Sequence, residues 1–271
     1  MRRPGRATKL NAMRDELLGA DTHAAMHRRA VFCADPPAGS SDAAIEFLER
    51  GHDLVHFVGM FFLVPERLDE TLRTLLGGEQ HPAELIRYTD VAEHYRSLAL
   101  ELVVIRSVDL YLTYLAQLMR TVLEAEPRAL RSHATRELDW ILSHATMEEL
   151  TRHLIDEEVQ RLSLAGFAAL DSAFSERLGL PLAGSGERGV LQETIEMRNV
   201  LVHEHAIVSD TYVRRVPWTN FSVGDRLTVD DANARNVRVA EAVLDLDLRA
   251  RTKFLVPSAN RPSPPRMCHR L

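Results

Sequence analysis

The chain has 271 residues, 45% of them hydrophobic and 27% charged, the make-up of a globular protein that buries its core without disulfides or metal. Its net charge of −6 is uneven: residues 1–30 hold seven Lys/Arg against three Asp/Glu, residues 251–271 hold five against none, and residues 31–250 are left at −15. A body so acidic excludes non-specific nucleic-acid binding through its overall field, so any polyanion site has to be local, built from a few arginines or from a basic tail.

Residues 1–40 form a basic N-terminal segment with a short amphipathic helix predicted over about 8–30 and a linker at "ADPPAGSSD". Its opening, "MRRPGRATKL", has no apolar run behind it, so no signal peptide is expected. Cys33 and Cys268 lie near opposite ends without metal-ligand spacing and are expected as reduced thiols of a cytoplasmic protein. A helical domain is predicted over 41–255, starting at Ser41 or Asp42. Helical pieces over 43–64 and 65–76 meet at Pro65, and "GGEQHP" (77–82) breaks the chain. The run 54–64 is too short to span a bilayer, and 98–119 is interrupted by Glu101, Arg106 and Asp109, so no membrane association is expected.

The longest helical pattern covers 89–124 and is apolar on most faces, as suits the centre of a bundle. Arg106 and Asp109 sit three apart in it, a spacing that allows them to pair. A short helix follows over 135–145. Thr146 and Glu149 fit a capping box, opening a helix that runs to about Leu178 with a kink at Gly166 and ends at Gly179 and Pro181. After the loop "LAGSGERG" comes a helix over about 190–207, then a short piece near 209–216, the irregular "PWTNFSVGDRLTV", and a C-terminal helix from about Asp231 to Phe254. Residues 256–271 are expected to be a flexible basic tail. Strand alternation, hairpin turns and internal repeats are missing from the pattern, so the fold class is all-α, a helical bundle.

The chemistry concentrates in "EMRNVLVHEH" (196–205). Gln192, Glu196, Asn199 and His203 fall at i, i+4, i+7 and i+11, one polar stripe, with Arg198 at its edge. By pattern alone a surface stripe on a packed helix is the better reading. Its composition, however, suits RNA cleavage without metal. Histidine serves as base or acid near neutral pH, arginine meets the charge of a phosphorane, and an amide orients either one. One Arg and one His cannot fill every role, which makes a pair of such helices across a dimer axis attractive.

"RNVLVH" (198–203) resembles the R-(x4–6)-H motif of the HEPN superfamily, in which the residue after the arginine is commonly Asn, Asp or His, as Asn199 is here. The resemblance covers roughly 95–255, from the apolar "ELVVIRSVDLYLTYLAQLMR" through "LGLPL" to "IEMRNVLVHEHAIVSDTYVRRV". It implies a HEPN-like up-down bundle and a metal-independent endoribonuclease whose two motifs meet in a homodimer. A toxin or phage-defence effector, with an antitoxin or regulatory protein as partner, is the implied setting. Carried over, Arg198 stabilises phosphate charge, His203 transfers protons and Asn199 positions them. Glu196 and His205 are further substrate-binding candidates. Related proteins often have Asn-Arg-Gly after the histidine, whereas this chain has Glu204-His205-Ala206. That departure keeps open a non-catalytic HEPN-like module that binds a nucleotide or protein.

Other motifs carry less. His52 and His56 beside Asp53 have a metal-compatible spacing but no second ligand pair, so no metal and no cofactor are expected. "HEH" at 203–205 is not H-E-x-x-H, "AGSGERG" lacks the end of a P-loop, and the acidic run Asp156–Glu158 is expected to be solvated.

Overall fold

The computed structural model describes residues 36–54, 57, 88–130, 136–163, 166–184 and 187–254. The expectations for residues 1–35, most of 55–87 and the tail from 255 lie outside these. Among the described residues the chain is an all-helical bundle, with one isolated antiparallel bridge between Ile207 and Arg226. The elements are α1 (42–54), α2 (Tyr88–His94), α3 (Arg96–Ala125), α4 (Leu138–Leu142), α5 (Met147–Ser163), α6 (Phe167–Ser172), α7 (Arg188–His203), α8 (Asp210–Arg215) and α9 (Ala232–Phe254).

The central helix is α3, packed on α9, α5 and α7. Its apolar residues recur on nearly every side, so it is wrapped rather than laid on a surface. Tyr111, Tyr114, Leu115, Leu118 and Val122 meet Val239, Ala240, Val243, Leu246 and Ala250 of α9 in the larger core. Alanines on α9 let the two backbones approach closely. A smaller core gathers around the N-terminal half of α3: Leu100, Val103 and Val104 pack on Met197 and Val200 of α7, Tyr212 of α8, and Leu227 and Val229 of the irregular segment. The helix α7 therefore reaches from one core into the other.

The ends follow local chemistry. Ser41 accepts from the Ala44 amide at 3.2 Å, capping α1, and its hydroxyl also bonds the buried Asp247 carboxylate, fastening α1 to α9. The Thr146 hydroxyl accepts the Glu149 amide at 3.1 Å, while the Glu149 carboxylate reaches back to the Ala145 amide at 2.9 Å. Gly179, at φ 60°, closes α6 after a wider π-helical turn over Ala173–Leu178.

Three expectations are corrected. The 89–124 pattern is divided at Tyr95, although the Tyr95 and Ala99 amides still bond one turn back, so the two helices share a ridge. The helix from 147 does not merely kink at Gly166: α5 ends at Ser163 and α6 starts afresh with Gly166, at ψ 168°, as its extended cap. The acidic run is paired rather than simply solvated, with Asp156 on Arg120, Glu157 on Arg136 and Glu158 on Arg161 and Arg177.

Candidate active site

On α7, Met197 and Val200 turn into the smaller core, which leaves Arg198 pointing along the boundary with α3. There it meets Asp109. Nε and Nη2 of Arg198 both donate to Asp109 Oδ1, at 3.0 and 2.8 Å, and the remaining terminal nitrogen lies 3.3 Å from His203 Nε2. Asp109 therefore pairs across the helix interface and not with Arg106, because a guanidinium at a packed boundary meets a carboxylate one helix away more directly than an exposed neighbour does. The side chains are 21% and 33% exposed, so the pair contributes on the order of 1 kcal/mol. Its larger consequence is geometric, since it fixes the plane of the guanidinium.

Arginine has only donors, so in this contact His203 Nε2 can only be the acceptor. Three of the five N–H donors of Arg198 are thereby occupied, and the rest are open to an anion. His203 is the last residue of α7 and is exposed. The site is thus an imidazole with a free edge, held against a cation of fixed orientation.

The other half of the stripe is braced by α8. Glu196 is 5% exposed, and Arg215 donates from Nη1 to both of its oxygens at 3.3 and 3.1 Å. Asn199 donates to Glu196 Oε2 at 3.3 Å, and Gln192 donates to the Arg215 carbonyl at 2.5 Å. The structure thus places Glu196 beneath Arg215 and Asn199, where it orients them, rather than on an open face. Asn199, beside Arg198 in sequence, is tied into this brace and not to His203.

Beyond His203 the chain turns sharply. His205 and Ala206 both take left-handed backbone, at φ 53° and 62°, and the Ala206 amide bonds back to the Val200 carbonyl at 3.1 Å. His205 is exposed on this turn, away from the Arg198 contact set. Glu204 has one carboxylate oxygen buried with no hydrogen-bond partner among the described residues.

Sequence reasoning missed Asp109, Arg215 and the exposed Trp218, which lies against Gly189 at the start of α7. They are 89, 19 and 29 residues from their contacts in the stripe, and no local spacing marks such pairs. His52 and Asp53 lie on α1, His56 falls outside the described residues, and no group of three potential metal ligands occurs among the described ones.

Fold and site together define an all-helical bundle bearing an arginine–aspartate–histidine constellation where the end of α7 meets α3. No family model matches the chain, and neither the curated proteins nor the solved structures yield a match. No helix among the described residues is long and apolar enough to cross a membrane.

Proposed function

We propose that the chain is a metal-independent endoribonuclease of HEPN type, acting as a homodimer. The observation that carries this reading is the 3.3 Å contact between Arg198 and His203 on a guanidinium clamped by Asp109. The neutral His203 of one subunit accepts the proton of a ribose 2′-hydroxyl on Nε2, the hydroxyl taking the place of the Arg198 N–H at that nitrogen. The freed oxygen attacks the adjacent phosphorus, the bond to the 5′-oxygen breaks, and that oxygen takes a proton from the other subunit's His203, which enters the step as the imidazolium. The products are a 2′,3′-cyclic phosphate and a 5′-hydroxyl. The unused N–H groups of Arg198 meet the charge that builds on the phosphorane oxygens. Asn199, held by Glu196, keeps the neighbouring turn in register.

Dimerisation is supported by a ridge of exposed apolar residues, Val91, Tyr95, Leu98 and Leu102, spaced 4, 3 and 4 along α2 and α3. Asp109 follows Leu102 by seven residues on the same side of α3, so a partner seated on the ridge lies beside the site. A cytoplasmic toxin or phage-defence effector, restrained by an antitoxin or regulatory protein, suits such an activity.

The test is RNA incubated with purified protein in EDTA. Cleavage is expected in the wild type. It should fall roughly 100- to 10,000-fold in His203→Ala and roughly 100- to 1,000-fold in Arg198→Ala. Cleavage that persists unchanged in both variants overturns the catalytic roles of Arg198 and His203. A second reading, a non-catalytic module that binds a nucleotide or protein, is favoured by Glu204 and by the charge Asp109 places against Arg198. It predicts binding without cleavage by the wild type.

A further inference from the structure

The polar stripe of α7 does not stop at Gln192. Gly189, Gln192, Glu196, Asn199 and His203 are spaced 3, 4, 3 and 4, so one face runs nearly the length of the helix, about 21 Å at 1.5 Å per residue. The segment that follows α7 folds back along this face. Arg215 lies over Gln192 and Glu196, and Trp218 lies over Gly189, with its Cζ2 3.6 Å from where a side chain on that glycine would begin. Trp218 is 49% exposed. A large aromatic ring is thus held at a fixed place on the surface, at the opposite end of the face from His203.

Two arginines adjoin these contacts in the chain, Arg215 three residues before Trp218 and Arg188 beside Gly189, and each is fixed in the same way. Arg215 rests on Glu196 and Arg188, the residue before Gly189, rests on Asp171 at 2.6 Å; both carboxylates are buried, at 6% and 5% side-chain exposure. The guanidinium side chains themselves stay 51% and 54% exposed. A buried carboxylate anchoring a half-exposed arginine aims the remaining N–H donors outward without the entropy of a free side chain. These outward donors give an anion a local docking point on the acidic body, with each arginine's charge balanced by the carboxylate behind it.

We infer that Trp218, Arg215 and Arg188 form a binding subsite for single-stranded RNA, the far end of one groove that finishes at Arg198 and His203. Trp218 stacks a nucleobase and the two arginines take the phosphates on either side of it. A span of about 20 Å suits a few unstacked nucleotides between the stacked base and the reacting phosphate. Duplex RNA cannot offer an open base to Trp218, so the subsite selects single strands or loops. The subsite rests on the nuclease reading for its substrate, but its geometry is independent of whether His203 turns that substrate over.

The experiment uses the full chain with Trp140→Phe, so that Trp218 is the remaining tryptophan, and with His203→Ala to prevent turnover. A short oligouridylate and a duplex of equal length are titrated while tryptophan emission and the anisotropy of labelled RNA are both read. The single strand should quench Trp218 to saturation, and the duplex should not. Trp218→Ala should weaken single-strand binding roughly 5- to 150-fold, the range for loss of one base–aromatic stack, with Trp218→Phe recovering most of it. Arg215→Ala and Arg188→Ala should each weaken binding and lower its salt dependence. RNA that binds without altering Trp218 emission, or binds Trp218→Ala as tightly as the parent, overturns the subsite. Since quenching is read on the intact ring, the outcome does not depend on whether Trp218→Ala folds. Quenching together with no cleavage by the wild type refutes the nuclease and leaves the subsite, whereas cleavage with a silent Trp218 does the reverse.

Discussion

Arg198 divides its donors between a carboxylate on another helix and an imidazole five residues along its own. The spacing to His203 was legible in the sequence, because five residues on a helix leave a long guanidinium able to curl back to the last turn. The choice of Asp109 over any other acid was not, because it depends on how α3 and α7 cross. The turn after His203 holds a different kind of residue-scale constraint. His205 and Ala206 occupy left-handed backbone in succession, and each carries a Cβ that this conformation disfavours by about 1–2 kcal/mol. His205 is exposed, so His205→Gly removes its share of the strain without opening a cavity. The expected result is a higher urea midpoint at an unchanged denaturant slope, equivalent to about 1 kcal/mol of added stability. A variant no more stable than the parent would show that the His205 side chain compensates for its backbone.

At the scale of elements, capping chemistry was the readable part. Thr146 with Glu149, and Gly179 before Pro181, mark real helix ends because they satisfy amides and carbonyls that any helix leaves unpaired. The break at Tyr95 and the wide turn over Ala173–Leu178 left no such mark, since apolar spacing near 3.6 tolerates a small change of register. Inside α3 the tyrosines are the costly choice. Burial pushes the Tyr111 and Tyr114 phenols well above their usual range. The Tyr114 hydroxyl donates a hydrogen bond to the Val243 carbonyl at 3.3 Å, while the Tyr111 hydroxyl is buried with no hydrogen-bond partner among the described residues. Tyr111→Phe is therefore expected to be neutral or stabilising by about 1 kcal/mol at neutral pH. The pH sign follows from the raised folded values: unfolded tyrosines ionise near 10 while the folded ones keep their protons, so stability present below pH 10 is lost as pH rises past it. Unfolding in urea at neutral pH and above pH 10 should find a shallower alkaline loss in Tyr111→Phe. An equally steep loss would place the alkaline sensitivity elsewhere.

The whole molecule adds what neither scale contains, a relation between the site and an uncovered surface. Val91, Tyr95, Leu98 and Leu102 expose 40–51% of their surface in a row that a folded chain has little reason to leave open. The 4-3-4 spacing is that of a seam between helices, and Tyr95 keeps the ridge continuous because the hydrogen bonds on either side of it carry on. The periodicity of 89–124 was readable, but which stripe stays outside was not, because an all-round apolar helix hides its exposed face until α9, α5 and α7 have taken theirs. If two copies meet on this seam, a charge placed in its middle is left without water when the copies close. Leu98→Glu with Leu102→Glu is therefore expected to shift the protein from twice the chain mass to the single chain mass in light scattering, with its helical circular dichroism preserved. RNA cleavage should be lost along with the dimer, since each subunit then keeps only one His203. Cleavage by the monomeric variant at the parental rate would show that one Arg198–His203 pair suffices, and the site would have to find its acid and its base within one chain.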